Sequence, residues 1–298
     1  MTSTALHRRD PRPSVVRQVI GTSRPLSWVN TAYPFGAAYL LAGGGLDVVF
    51  WLGTLYFLVP YNLLMYGVND VFDYESDLRN PRKGGVEGVV LDRHVHRLTL
   101  ILSAVTNLPF LYALAVLGDA ASTAVLAGVV FAVVAYSAPV LRFKERPVLD
   151  SLTSSTHFVG PATFGLAIAG PWPSGAWMIL AAFFAWGIAS HAFGAVQDIR
   201  ADRDAGIASV ATALGARPTV WLALAAYLAC AVLLLAAGSM AAIAAVLVVP
   251  YLLNVAPYAR IRDDECERAH HGWRRFLWLN YLTGFFVTQL LIWATIGW

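Results

Sequence analysis

Asn69-Asp70-Val71-Phe72-Asp73-Tyr74-Glu75-Ser76-Asp77 closes an apolar run that begins near residue 48. Four acids fall within eight residues at the end of a stretch long enough to cross a bilayer. Asn69, Asp73 and Asp77 recur every four residues, so on a helix they share one face. Stacked carboxylates at the end of a membrane helix repel one another and are costly to desolvate without a counter-charge. A divalent cation supplies that charge. Hard oxygen donors on one helix face suit Mg2+, which keeps several waters and also grips substrate phosphate. A second stretch, Gln197-Asp198-Ile199-Arg200-Ala201-Asp202-Arg203-Asp204-Ala205-Gly206, repeats the theme, with Asp198 and Asp202 again four apart. A solvated acidic loop would account for one such stretch but not for a matched pair.

The rest of the chain places these stretches in a membrane. Of its 298 residues 58% are hydrophobic and 13% charged, and the mean hydropathy is +0.60. A soluble domain carries roughly twice that charge. The apolar runs are continuous rather than alternating, which excludes a β-barrel in favour of an all-α, polytopic helix bundle. Nine spans are expected, at 27–44, 48–68, 98–117, 121–140, 151–170, 175–195, 218–237, 239–258 and 276–297, each near the ~20 residues a bilayer requires. Residues 1–23 read as a polar, basic, disordered or interfacial tail without the apolar core of a signal peptide, and 24–298 as a single membrane domain. Cys230 lies in an apolar run and Cys266 in a charged loop, with no ligand spacing between them.

The connections alternate. The first, third, fifth and seventh are short, and their only charges are Asp47 and Asp119. All 21 Lys and Arg lie in the N-terminal segment and the even-numbered connections. By the positive-inside rule that side is cytoplasmic, with the N-terminus inside and the C-terminus outside. Both acidic stretches fall on the same side. The order helix, helix, acidic loop, helix, helix, basic loop occurs twice, so the chain reads as two four-helix pseudo-repeats followed by a ninth helix.

Two carboxylate pairs on one membrane face, with basic residues beside them, point to a diphosphate held through Mg2+. An allylic diphosphate so held ionises to a resonance-stabilised carbocation, which needs a dry, aromatic-walled cavity and a lipophilic acceptor. A secondary transporter would share the repeats, but its acids would sit near the bilayer centre rather than at helix ends. The net charge of +3 is small, and no nucleic-acid partner is expected.

Asn69-x3-Asp73-x3-Asp77 with Asp198-x3-Asp202 resembles the paired aspartate motifs of the UbiA superfamily of intramembrane prenyltransferases. Arg24-Pro25, the segment Tyr136-Ser137-Ala138-Pro139-x2-Arg142-x-Lys144 and the run Ala208 to Gly215 are similar to further family segments. The resemblance covers essentially the whole chain. Asp73 to Gly85 and Gln197 to Gly206 look most like the lycopene elongase branch, which makes fifty-carbon carotenoids. The resemblance implies that Asn69, Asp73 and Asp77 bind one Mg2+ and that Asp198 and Asp202 bind another. It implies that Arg24, Lys83, Arg142 and Lys144 contact the diphosphate, with Tyr136 beside them. It implies dimethylallyl diphosphate as donor and lycopene as acceptor; the superfamily's aromatic acceptors, of quinone, tocopherol or chlorophyll type, remain an alternative.

His157 and His191 lie inside spans five and six. Ionisable groups at membrane depth are functional candidates, and either histidine is positioned to take the final proton; an interhelical hydrogen bond is the competing expectation. Asp70, Glu75 and Asp204 fall off the shared faces and are expected to support the ligands or face water. Asn30, Asn62 and Tyr66 are expected near the cavity, and His270-His271 as a solvated pair.

Overall fold

The computed structural model describes residues 13–78 and 90–296 and is helical throughout. In chain order the helices are α1 (Val15–Thr22), α2 (Val29–Leu41), α3 (Val48–Leu58), α4 (Pro60–Phe72), α5 (Tyr74–Asp77), α6 (Arg93–Leu117), α7 (Ala120–Ser137) and α8 (Leu149–Ala169). They continue with α9 (Ala176–Val196), α10 (Ile199–Ala205), α11 (Val210–Leu214), α12 (Ala216–Ala237), α13 (Ser239–Ala244), α14 (Val249–Val255) and α15 (Ala269–Ile296). Each expected span coincides with a helix or a helix pair. The second is broken at Val59, where Pro60 opens α4, because proline lacks the N–H that a continuing helix needs. The ninth starts at Ala269, earlier than expected.

Among the described residues, seven helical runs are long and apolar enough to cross a membrane: Val48–Phe72, Arg93–Leu117, Ala120–Ser137, Ala176–Val196, Ala216–Ala237, Met240–Tyr258 and Asp263–Ala294. The protein is thus a multi-pass integral membrane protein. The other two expected spans are α2, with 13 residues, and α8. The latter is long enough but carries Asp150, Ser151, Thr153, Ser155 and His157, and 12 of its 21 residues are buried. Its neighbours α2, α7 and α9 wrap it. A helix that faces protein rather than lipid is released from the requirement to be apolar, so hydropathy is weakest for the most central helix.

Glycine permits that wrapping. A Cβ at Gly165 of α8 would stand 2.6 Å from the Phe35 carbonyl oxygen of α2. Two aromatic cores flank α8. One joins Phe35, Tyr39, Tyr56, Phe57 and Tyr61 to Phe164. The other joins Phe193, Tyr227, Tyr251 and Phe276 from α9 to α15. Asp47 and Asp119, the two charges of the short connections, are helix N-caps: Asp47 accepts from Phe50 N–H and Asp119 from Ser122 N–H.

Candidate active site

α4 ends at Phe72, and Asp73 is its C-cap, with its N–H bonded to the Asn69 carbonyl at 2.9 Å. The chain then restarts as α5, so Asn69 and Asp73 share a helix end while Asp77 lies on the next short turn. The side chain of Asp77, and all of Lys83, lie outside the described residues.

The basic turn after α7 folds over this helix end. Lys144 Nζ forms an ion pair with Asp73 and lies 3.4 Å from Asn69 Oδ1. Arg142 reaches to 3.8 Å from Asp73 and also pairs with Glu145. Ser137 Oγ donates to Asn69 Oδ1 at 2.9 Å. Burial pushes the Lys144 ammonium down from its ordinary value, against the opposing pull of Asp73. The bond to Glu145 pushes Arg142 up, and Arg142 in turn holds the Glu145 carboxyl down. Arg24 and Arg142 both adopt left-handed backbone, at φ 51° and 40°. Such residues cost roughly 1–3 kcal/mol each and persist where surrounding contacts over-determine them; here those contacts include ion pairs to Asp70 and Asp73.

Asp70 is buried. It accepts from Thr22 Oγ1 and forms an ion pair with Arg24 at 3.3 Å, whose guanidinium stacks on Tyr66 at 4.1 Å. Glu75 is exposed and pairs with Arg93. The acid off the shared face is therefore the one that anchors Arg24.

The second stretch follows α9. Asp198 precedes α10, the Asp202 N–H bonds to its carbonyl at 2.8 Å, and both side chains are half-buried. Asp204 is exposed. Of the expected solvated pair, His271 is exposed, whereas His270 is half-buried with its Nδ1 2.8 Å from Gln197 Oε1, which ties α15 to the residue preceding Asp198. Among the described residues, no three His, Cys, Asp or Glu side chains converge as a metal cluster.

A polar seam connects the two halves. Tyr136 Oη lies 3.4 Å from His191 Nε2, and His191 Nδ1 lies 3.0 Å from Ser151 Oγ. The His157 ring stands edge-on to Tyr136 at 4.9 Å, with its Nε2 3.4 Å from the Ala132 carbonyl. Asp150, fully buried, accepts from Ser151 N–H at 2.7 Å and Val210 N–H at 2.6 Å, which joins α8 to α11 just beyond the second stretch. Sequence reading missed Asp150, Ser151 and Thr22. Asp150 stands with Glu145 as one of two acids in a mainly basic connection, which was the available signal for it. Asn62 is buried in the core, bonded to Thr31 and Phe57.

A bundle with oxygen donors and cations gathered at one helix end defines an intramembrane enzyme for a phosphorylated lipophilic substrate. Residues 31–282 match the UbiA prenyltransferase family. The chain belongs to that family and is a prenyltransferase. It is 57% identical over 292 residues to the "C(50) beta-cyclic carotenoids biosynthesis protein LbtBC" of Dietzia sp. (strain CQ4), covering 97% of this chain and 68% of that protein. It is 52% identical over 278 residues to the "Lycopene elongase/hydratase" of Corynebacterium glutamicum, covering 93% of this chain and 97% of that one. A solved UbiA homologue from Archaeoglobus fulgidus, bound to DMAPP and Mg2+, shares the fold at a TM-score of 0.65 and 17% identity, over 89% of this chain and 98% of that one.

Proposed function

We propose that the protein transfers a dimethylallyl group from its diphosphate to the end of lycopene, the first step toward a fifty-carbon carotenoid. The observation that carries the donor half is the convergence of Lys144 and Arg142 on Asp73 and Asn69. The acceptor half rests on the relatives' names, above all the lycopene elongase/hydratase matched over nearly its whole length.

The donor set fits Mg2+. Asn69 Oδ1 and Asp73 are hard oxygens that already share one cation, the Lys144 ammonium. Asn69, Asp73 and Asp77 would hold one ion, and Asp198 and Asp202 the other. When bound, the metal neutralises diphosphate charge and improves the leaving group. Lys144 and Arg142 bind the diphosphate oxygens as the allylic C–O bond breaks and its electron pair leaves with the diphosphate. The Tyr136 ring, at the seam beside the ion-paired helix end, stabilises the allylic cation. The terminal double bond of lycopene then supplies the electrons for the new C–C bond, leaving a tertiary cation. Proton loss closes the reaction: a C–H electron pair becomes the new double bond, Tyr136 Oη receives the proton and passes its own to His191 Nε2. Water capture at the tertiary cation is the competing outcome. The N-terminus and the site lie on the cytoplasmic side, and the C-terminus on the other.

The experiment is product analysis by chromatography and mass spectrometry in a lycopene-accumulating host. Masses raised by one and two five-carbon units, absent with Asp73→Ala, are expected. Unchanged lycopene, with intact protein in the membrane, refutes the acceptor. His191→Ala is expected to shift the ratio of dehydrated to hydrated product; an unchanged ratio refutes the proton route.

A further inference from the structure

Helix α1 carries its amphipathicity the wrong way round for a helix docked on a protein. The two residues it buries are polar: Gln18 is 1% exposed and Thr22 0%. Its apolar residues face outward, with Val16 66% and Ile20 51% exposed. At 100° per residue Val15, Val16, Val19 and Ile20 fall on one arc, and Gln18 and Thr22 on another. The buried arc is held by specific bonds. Gln18 Nε2 donates to Asp92 Oδ2 at 3.0 Å while Gln18 Oε1 accepts the Asp92 N–H at 2.9 Å. Thr22 donates to Asp70. One short helix thus grips the chain just before the first acidic stretch leaves α4 and again where it returns to begin α6.

We infer that α1 is an interfacial helix whose apolar arc is seated in the lipid headgroup layer on the side of the active site. Three observations choose lipid as the occupant. Leu26 and Val29, where the chain enters α2, are likewise apolar and 60% and 47% exposed, as lipid contact requires. The helix lies level with the polar ends of α4 and α6, where the headgroups begin, because its bonds are to Asp70 and Asp92. Arg17, exposed on the flank of the apolar arc, stands where a cation meets lipid phosphate. The acidic stretch is then bracketed by an element that itself rests on the membrane. This inference depends on the membrane-spanning fold and not on the acceptor.

The test is spin-label accessibility in nanodiscs of phosphatidylcholine with phosphatidylglycerol. Nitroxides are placed at Val16→Cys, Ile20→Cys and Arg17→Cys in a background where Cys230 and Cys266 are Ser. Leu228→Cys on α12, 58% exposed, reports the span itself. Labels at 16 and 20 are expected to favour collision with oxygen over a water-soluble nickel chelate, and the label at 17 the reverse. Nickel-rich collisions at 16 and 20, with oxygen-rich collisions at 228, overturn the inference while the spanning fold stands. Exclusion of both reagents from 16 and 20 also overturns it, because protein, such as a second copy, then covers the arc. Should the cysteine-free background not fold, the same labels are read in the wild-type background, whose two cysteines are buried.

Discussion

Removing the Asp70 carboxylate tests whether Asp70 and Asp73, three residues apart, do different work. The Asp70 side chain is fully buried, and that of Arg24, 3.3 Å away, is 21% exposed. At that distance the gross attraction is about 5 kcal/mol for an effective dielectric near 20. Breaking a buried pair by deleting one partner costs roughly 3–5 kcal/mol, because the other charge loses its compensation. Arg24 keeps the Tyr66 ring and some contact with water, which puts Asp70→Ala at the lower end, about 3 kcal/mol. The assay is reversible unfolding in mixed micelles, with Arg24→Ala and the double variant completing a thermodynamic cycle. A coupling of about 2 kcal/mol or more between the two positions is expected, within the range for residues in contact. Additivity within about 0.5 kcal/mol would refute the assignment of Arg24 as the charge partner of Asp70.

Asp73→Ala and Asp198→Ala are expected to abolish turnover while leaving the protein folded and inserted, measured with matched protein in proteoliposomes; Asp73→Ala also lowers the unfolding midpoint, because Lys144 loses its partner. Chelation by EDTA is expected to stop the reaction and added Mg2+ to restore it; activity in excess EDTA would contradict the ligand set. Gly165→Ala is expected to destabilise by about 1–3 kcal/mol, because the new methyl meets the Phe35 carbonyl, a backbone atom that cannot swing aside. Gly128→Ala, with nothing within 4 Å, is expected to be neutral or stabilising by up to about 1 kcal/mol, and equal effects in thermal melts would refute the close α2–α8 approach. Bonds from Ser122 hold the Asp119 carboxyl below its ordinary value. The unfolded chain therefore binds the proton first, so the cap's contribution is whole above the ordinary carboxylate range and is lost as pH falls through the lowered folded value. Asp119→Asn is expected to flatten that part of the melting-point profile.

Much of the candidate site's geometry was legible in the linear chain because its parts obey local rules. Asp73 and Asn69 sit four residues apart at the end of α4, and Lys144 follows Arg142 in a short basic turn. What was not legible concerns partners far apart in sequence. Asp70 looked peripheral because it leaves the four-residue face, yet that places it inward, against Thr22 and Arg24. His270 looked solvated because no partner stands near it in sequence, yet it bonds to Gln197, 73 residues away. Residues 15–22 looked like tail because they are flanked by arginines and prolines, yet they fold into α1 on two side-chain bonds to Asp70 and Asp92.

The linear chain specifies the membrane bundle, the order of its helices and the gathering of its Lys and Arg in alternate connections. Each of these follows from the free energy of moving a residue between water and lipid, summed along a local window. The packed bundle sets which acid meets which base, makes α8 the sheltered centre, and places His191 between Tyr136 and Ser151. Those outcomes depend on which helix faces converge, and a side chain buried in a bundle answers to neighbours far away in sequence rather than to its own window.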